Sequence, residues 1–275
     1  MLLLLAACAG LFAVWREFDP LMPKMPYLTG WFLFTLMVLL AAYNGRKKLP
    51  FLPAIRSETW LQFHIYVGFF TVALFAVHVG MRVPGGWFEA VLAWLYILVT
   101  ASGVLGLIIS RIFPKRLTTR GGEVIFEQIP VVRRALADEA EALALKALSE
   151  SKNTTIMDFY TQHLQGYFAG PRNFVGHLFE VSSPLNELLH RIGELNRFLN
   201  AQERVILYGK QDADPAKRKD GLADLVRQKD SLDYHYSLQL ALRLWLFVHI
   251  PLSYSLLLFS VVHVVLVFAF SGGTP

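Results

Sequence analysis

Three uncharged apolar runs constrain this chain more than any other feature: Thr59 to Met81, Ala90 to Ser110 and Leu244 to Phe270. Each reaches the ~20 residues that a helix needs to cross a hydrocarbon core. Inside such a core the backbone N–H and C=O groups must be satisfied by the chain itself, which for runs of this length means helices. A fourth run, Tyr27 to Tyr43, has about 17 residues and sits at the short end of the spanning range. With 55% hydrophobic and only 17% charged residues, against roughly a quarter charged in soluble domains, an integral membrane bundle is expected.

The opening MLLLLAACAGLFAVW is apolar but lacks the basic stretch that begins a secretory signal. It predicts a tilted first span, giving about five. Leu5-Ala6-Ala7-Cys8 superficially matches a lipoprotein processing box, yet only seven residues precede the cysteine. Cys8 is the only cysteine, which excludes an intrachain disulfide, a Cys-x-x-Cys-His haem attachment and a cysteine-ligated iron–sulfur cluster.

Orientation follows from the short connections. Arg46, Lys47, Lys48 and Arg56 crowd one loop, and Arg111, Lys115, Arg116 and Arg120 follow the Ala90 to Ser110 run; such basic clusters mark the cytoplasmic side. The segment from Arg16 to Met25 balances its charges, and the turn from Arg82 to Glu89 is nearly neutral, so both are expected outside. The result is an inside start and a C-terminus outside. The layout is then spans one to four in residues 1–110, a cytoplasmic, mostly helical insertion in residues 111–238, and the last span in residues 239–275.

Within the insertion, Gly122 to Ile129 alternates enough to suggest one short strand or an extended stretch. Val131 to Ser151 and Leu185 to Leu207 carry apolar residues at helical spacing, Asp212 to Pro215 breaks the chain, and Gly221 to Gln239 is expected to run on into the last span. The net charge of +5 is explained by attraction to anionic lipid, without nucleic acid.

Four of the eight histidines fall in spanning runs, His64 and His78 in one and His249 and His263 in another. In both pairs the members are fourteen residues apart. At 100° per residue the two members share a face, and the ~1.5 Å rise separates them by roughly 21 Å. A single metal ion held on a helix wants ligands at i, i+3 or i+4, so the spacing argues for two centres stacked along the membrane normal. Both helices run outward, which places His64 level with His249 and His78 level with His263. Two imidazoles on opposite faces of a porphyrin give a six-coordinate haem with no open axial position.

Small residues on the same faces leave room for a flat ligand: Gly68 on the first helix, Ser253 and Ser260 on the other, and Ser102, Gly103 and Gly106 on the intervening span. Arg82 and Arg243 stand where propionates would emerge; interfacial snorkelling is the competing reading. For the histidines, the competing reading is hydrogen bonding between helices or a proton path. His235, fourteen before His249, is a candidate propionate or quinone contact or an interfacial histidine without such a duty. His163, His177 and His190 are read as packed or solvated.

At these residues the chain resembles the di-haem b-type cytochromes: cytochrome b of quinol-oxidising complexes, the cytochrome anchors of respiratory dehydrogenases and the ferric-reductase-like transmembrane domains. The resemblance covers the membrane portion, roughly half the chain. It implies two haem b, one held by His64 and His249 and the other by His78 and His263, in a bacterial inner membrane, and possibly a quinone near one of them. It also implies partners in a redox complex: a cytochrome c, an iron–sulfur protein or a flavoprotein. His235, Asp233 and Glu89 are the candidate titratable groups for proton-coupled quinone chemistry. The chain departs from the fused reductases in having no flavin or nicotinamide domain after the last span, and the insertion has no Gly-x-Gly-x-x-Gly. The expected role is transfer of electrons across the membrane between the quinone pool and a partner protein. The alternatives are a transmembrane reductase serving an external metal or cytochrome acceptor, and a non-redox scaffold or proton-linked transporter.

Overall fold

The computed structural model describes residues 2–18, 25–45, 57–118, 124–151, 154–181, 184–210 and 220–271, and their regular elements are all helical. They fall into two compact units, Met1–Ile109 with Trp245–Pro275, and Ser110–Leu244, called here the membrane unit and the insertion unit.

The membrane unit holds α1 (Leu2–Phe18), α2 (Met25–Gly45), α3 (Ser57–His78), most of α4 (Trp87–Leu117) and the second half of α11 (Leu222–Ser271). Four of these, α2, α3, α4 and α11, are long and apolar enough to cross a membrane; α1 is 17 residues long. Both α1 and α2 pack on α3. The core takes one buried side chain from each of four helices: Leu33, Leu74, Tyr96 and Leu256. Tyr96 fastens α4 to α3, stacking on Phe75 at 4.1 Å and donating its hydroxyl to Thr71 Oγ1 at 3.0 Å. The outward faces carry Trp31, Phe63, Trp94 and Phe247, all exposed. Apolar surface on this scale is disfavoured in water and matched by lipid.

The insertion unit contains the end of α4, then α5 (Ile129–Ser151), α6 (Thr155–Phe159), a π-helical turn at Tyr160–Leu164, α7 (Gln165–Phe168), α8 (Phe174–Phe179), α9 (Pro184–Leu195), α10 (Ala201–Tyr208) and the start of α11. Ile129, Leu136, Ala140, Ala144 and Ala147 line the buried face of α5, and the three alanines let neighbouring helices approach closely. α11 adds a buried ion pair, Lys229 with Asp233. A buried pair persists only when further hydrogen bonds complete both ions. Lys229 Nζ also donates to the Gly170 carbonyl at 2.9 Å, and Asp233 Oδ2 accepts from the Arg172 backbone N–H at 3.0 Å. The ammonium lies 4.0 Å from the centre of the Tyr167 ring, a cation–π contact. Burial, with Asp230 and Asp233 nearby, pushes the Tyr167 phenol far above its ordinary range, so it stays a hydroxyl donor to the Val226 carbonyl.

Two expectations are corrected. Of the strand or extended stretch expected at Gly122 to Ile129, no strand is formed among the described residues: Ile125 is extended, but Phe126–Gln128 make a 3-10 turn that leads into α5. Pro130 sits in the first turn of α5, where its fixed φ favours a helix start, and the Val124 carbonyl is taken by the Gln239 side chain at 2.8 Å rather than by a strand. The single helix expected over Leu185 to Leu207 is two, because Leu199 is extended and Asn200 starts a new helix. The basic loop at 46–56 and the Asp212 to Pro215 break lie outside the described residues. The expected continuity from the insertion into the last span is present: α11 runs for 50 residues.

The second start is a reciprocal cap. Asn200 Oδ1 accepts from the Glu203 N–H at 2.9 Å and Glu203 Oε2 accepts from the Asn200 N–H at 2.8 Å, with Glu203 buried. Losing such a cap costs about 1 kcal/mol. Asn200→Ala is therefore expected to lower the unfolding free energy of the insertion unit by about that amount, read as a shift in its chemical denaturation midpoint in detergent, while Asn200→Asp leaves the midpoint nearly unchanged.

Candidate functional site

The C-terminal end of α3 carries His78, and the later part of α11 carries His263; both line one cavity of about 320 Å³. Its other walls are aromatic and aliphatic, with Tyr27, Trp31, Phe34, Phe75, Tyr96 and Phe268 among them. Ligand pockets start at about this size.

His78 is fixed from α2. Its Nδ1 lies 3.1 Å from the Pro26 carbonyl oxygen and 3.3 Å from Thr29 Oγ1. A carbonyl only accepts, so Nδ1 carries the proton and Nε2 keeps its lone pair. That is the tautomer of a metal-ligating histidine, whose other ring nitrogen is usually held by a carbonyl or carboxylate. Thr29 donates its own hydroxyl back to the first turn of α2, to Met25 O at 3.0 Å and Pro26 O at 3.2 Å. Gly30 completes the seat: a Cβ there would stand 2.9 Å from His78 Cε1, closer than carbon atoms pack. Glycine at this position is thus required by close approach.

The second pair lies toward the opposite ends of the same helices. His64 and His249 are near enough to interact electrostatically, as are His78 and His263. His249 Nδ1 is 3.2 Å from Ser102 Oγ on α4, and its ring stacks on Trp245 at 5.4 Å. Trp245 in turn donates its indole N–H to the Ser102 carbonyl at 2.8 Å. A Cβ on Gly103 would touch His249 Cε1 at 3.7 Å, an ordinary contact, and Gly106 leaves the space that Trp245 fills. His64 Nδ1 is buried without a hydrogen-bond partner, although the Leu40 backbone is close enough to polarise the ring; Tyr43 lies 5.0 Å away, ring to ring.

Of the small residues singled out in the sequence, Gly68 faces open space. Ser253 and Ser260 return their hydroxyls to the His249 and Leu256 carbonyls one turn back, at 2.8 Å each. Arg82 lines a different cavity, of about 230 Å³, beside Val79, Pro84 and Trp94. Arg243 is held by Glu127 and lies over the Phe126 ring. The glutamate is correspondingly held below the usual carboxylate range, chiefly by its hydrogen bond from Arg243.

The quinone candidates are scattered. Asp233 is committed to Lys229 and the Arg172 N–H, His235 is buried with its ring edge-on to Tyr234 at 6.3 Å, and Glu89 is exposed in the first turn of α4. His177 is buried against Asp230 at 3.7 Å, whereas His190 is exposed beside Glu194. His163 stands 3.5 Å from Arg191. Sequence reasoning assigned no role at this site to Pro26, Thr29 and Gly30. The one available signal was the small-residue pair Thr29-Gly30 in an otherwise bulky apolar run.

Paired imidazoles are the protein donor set of a six-coordinate haem iron, and two features here bear on such a group. His78 presents its Nε2 lone pair in an apolar cavity, and His64 and Gly68 leave a buried polar atom and open space on one face of α3. No protein-family model, curated protein or solved structure matches this chain.

If the histidine pairs hold haem as the sequence leads one to expect, Gly30→Val displaces His78 and disturbs one pair only. The expected result is a loss of about half the haem per purified chain in a pyridine haemochrome assay, with the His249 site retained. Full retention would refute the seating role of Gly30.

Proposed function

We propose that this chain is the di-haem b-type cytochrome subunit of a bacterial inner-membrane electron-transfer complex, carrying electrons between the quinone pool and a partner redox protein. In this reading α1 is a fifth, tilted span, the insertion unit is cytoplasmic, and the C-terminus is outside. The observation that carries the proposal is the seating of His78: an imidazole whose Nδ1 lies 3.1 Å from the Pro26 main-chain carbonyl, in an apolar cavity shared with His263.

His78 with His263 would hold one haem, and His64 with His249 the other. A bis-imidazole haem supplies reversible one-electron transfer without an open coordination position for oxygen. The chain's own residues do the rest. Pro26 and Thr29 fix the His78 ring, Ser102 and Trp245 fix His249, and aromatic side chains line the cavity that His78 shares with His263. The two levels are roughly 21 Å apart along each helix. With a haem held at each level, charge moved between them would cross much of the membrane dielectric, and its transfer would be linked to the membrane potential at ~2.3 kcal/mol per 100 mV for full transit.

The test is optical. The purified chain is expected to give a b-type band in the reduced-minus-oxidised spectrum. His78→Ala or His263→Ala should remove about half of it, His64→Ala or His249→Ala should remove the other half, and combining one from each pair should abolish it. Absence of any b-type band in the wild-type chain would end the proposal. For the quinone end, a quinone-analogue inhibitor should block haem reduction by quinol while a soluble reductant still reduces both haems.

A further inference from the structure

The six-residue helix α8 is inside out. His177 is its buried residue, held against Asp230 at 3.7 Å. Val175 and Phe179, one turn apart and so on a common face, are 63% and 68% exposed, and Val181 just beyond is 62% exposed. A segment facing water normally has the opposite arrangement.

The inversion is held in place deliberately. Asn173 and Glu180, at the two ends, both adopt the left-handed backbone conformation, with φ of 57° and 55°, uncommon for residues other than glycine. Arg116 clamps the turn, donating to the Leu178 carbonyl at 2.8 Å and the His177 carbonyl at 2.7 Å, and pairing with Glu180 at 3.0 Å.

Arg116 belongs to α4 and lies six residues past Ser110, the end of the uncharged run. Six helical residues cover about 9 Å, roughly the depth of a headgroup layer. A second apolar set in the insertion unit is fastened in the same way at the start of the last span. Ile125 and Val131 are 57% and 70% exposed, and they flank Phe126 and Glu127, which are held by Arg243, the residue before Leu244. Arg111 and Lys115 on α4 and Arg134 on α5, the helix that carries Val131, are exposed basic side chains.

We infer that the insertion unit is seated on its own bilayer, with Val175, Phe179, Val181, Ile125 and Val131 inserted at the headgroup–acyl boundary and the neighbouring basic side chains on anionic phospholipid headgroups. Apolar side chains flanked by Lys and Arg are the composition of an interfacial anchor. Both sets are tied to helix residues within a few positions of the spanning runs, so the occupant in reach is lipid. The inference rests on the membrane reading of α4 and α11.

Cys8 is the only cysteine, so the full chain with Cys8→Ser accepts single nitroxide labels. Labels at Val131, Val175 and Phe179 would be measured in anionic-lipid proteoliposomes, with Leu258, 64% exposed on α11, as the spanning reference. The expected result is collision with oxygen several-fold above collision with a water-soluble nickel chelate at all four sites. High nickel access at 131, 175 and 179 with lipid access at 258 overturns the inference and leaves the membrane reading standing. Low access to both relaxers at those three sites points to a protein partner and also overturns it. Water access at 258 overturns the membrane reading and the inference together.

Discussion

The membrane unit depends on one constraint: an imidazole placed in a hydrocarbon environment must have its N–H satisfied by the protein, because no water is there to do so. At His78 the solution is the Pro26 carbonyl. Pro26 lies in the first turn of α2, and its carbonyl oxygen is approached by both the Thr29 hydroxyl at 3.2 Å, which is shared with the Met25 carbonyl at 3.0 Å, and the imidazole at 3.1 Å. This bond fixes the ring rotamer and tautomer together. It also explains why Gly30 must be small, since the ring lies across the face of α2. The position of α2 against α3 and the chemistry available at His78 are thus set by the same contact. At His249 a side-chain hydroxyl, Ser102 Oγ, does the comparable work; a hydroxyl can donate or accept, so this bond orients the ring without dictating its tautomer.

The insertion unit solves a related problem with charges. Lys229 and Asp233 are one turn apart on α11 and both are buried. Taking either ion out of water is expensive, and a pair alone seldom recovers the loss. Here the Gly170 carbonyl and the Arg172 N–H add hydrogen bonds to the two ions, both from the segment between α7 and α8, and Arg133 pairs with Asp233 Oδ1 at 3.5 Å. The pair therefore fixes that connection to α11. Arg116, from α4, fixes the next turn through the His177 and Leu178 carbonyls and the Tyr234 hydroxyl.

What was legible in the sequence was whatever is periodic along one helix. The uncharged runs gave the candidate spans, and the fourteen-residue intervals placed His64 with His78, and His249 with His263, on common faces. Contacts between helices were not legible. Pro26, Thr29 and Gly30 read as ordinary members of an apolar run until α3 is laid beside them. Lys229 and Asp230 carried no reading in the sequence and Asp233 stood only as a quinone-site candidate, because charge alone does not reveal which carbonyls and amides will surround it. The alternation at Gly122 to Ile129 misled for the opposite reason: a local period of two is overridden when Pro130 starts a helix and a glutamine supplies the hydrogen bond that a strand would have supplied. The Asn200 cap was readable in principle, as an Asn with a Glu three residues on, but lay hidden inside a longer leucine repeat.

The pairing of the histidines also fixes the topology of the chain. His78 ends α3, and His263 lies late in α11, and these two share a cavity; His64 lies early in α3, and His249 lies early in the part of α11 that belongs to the membrane unit. The two helices are therefore parallel. A short turn joins α3 to α4, so α4 runs back against them, and the chain must leave α4 and begin the membrane part of α11 on one side. An insertion between α4 and α11 is free in length but not in parity: it has to return the chain to the side from which it departed.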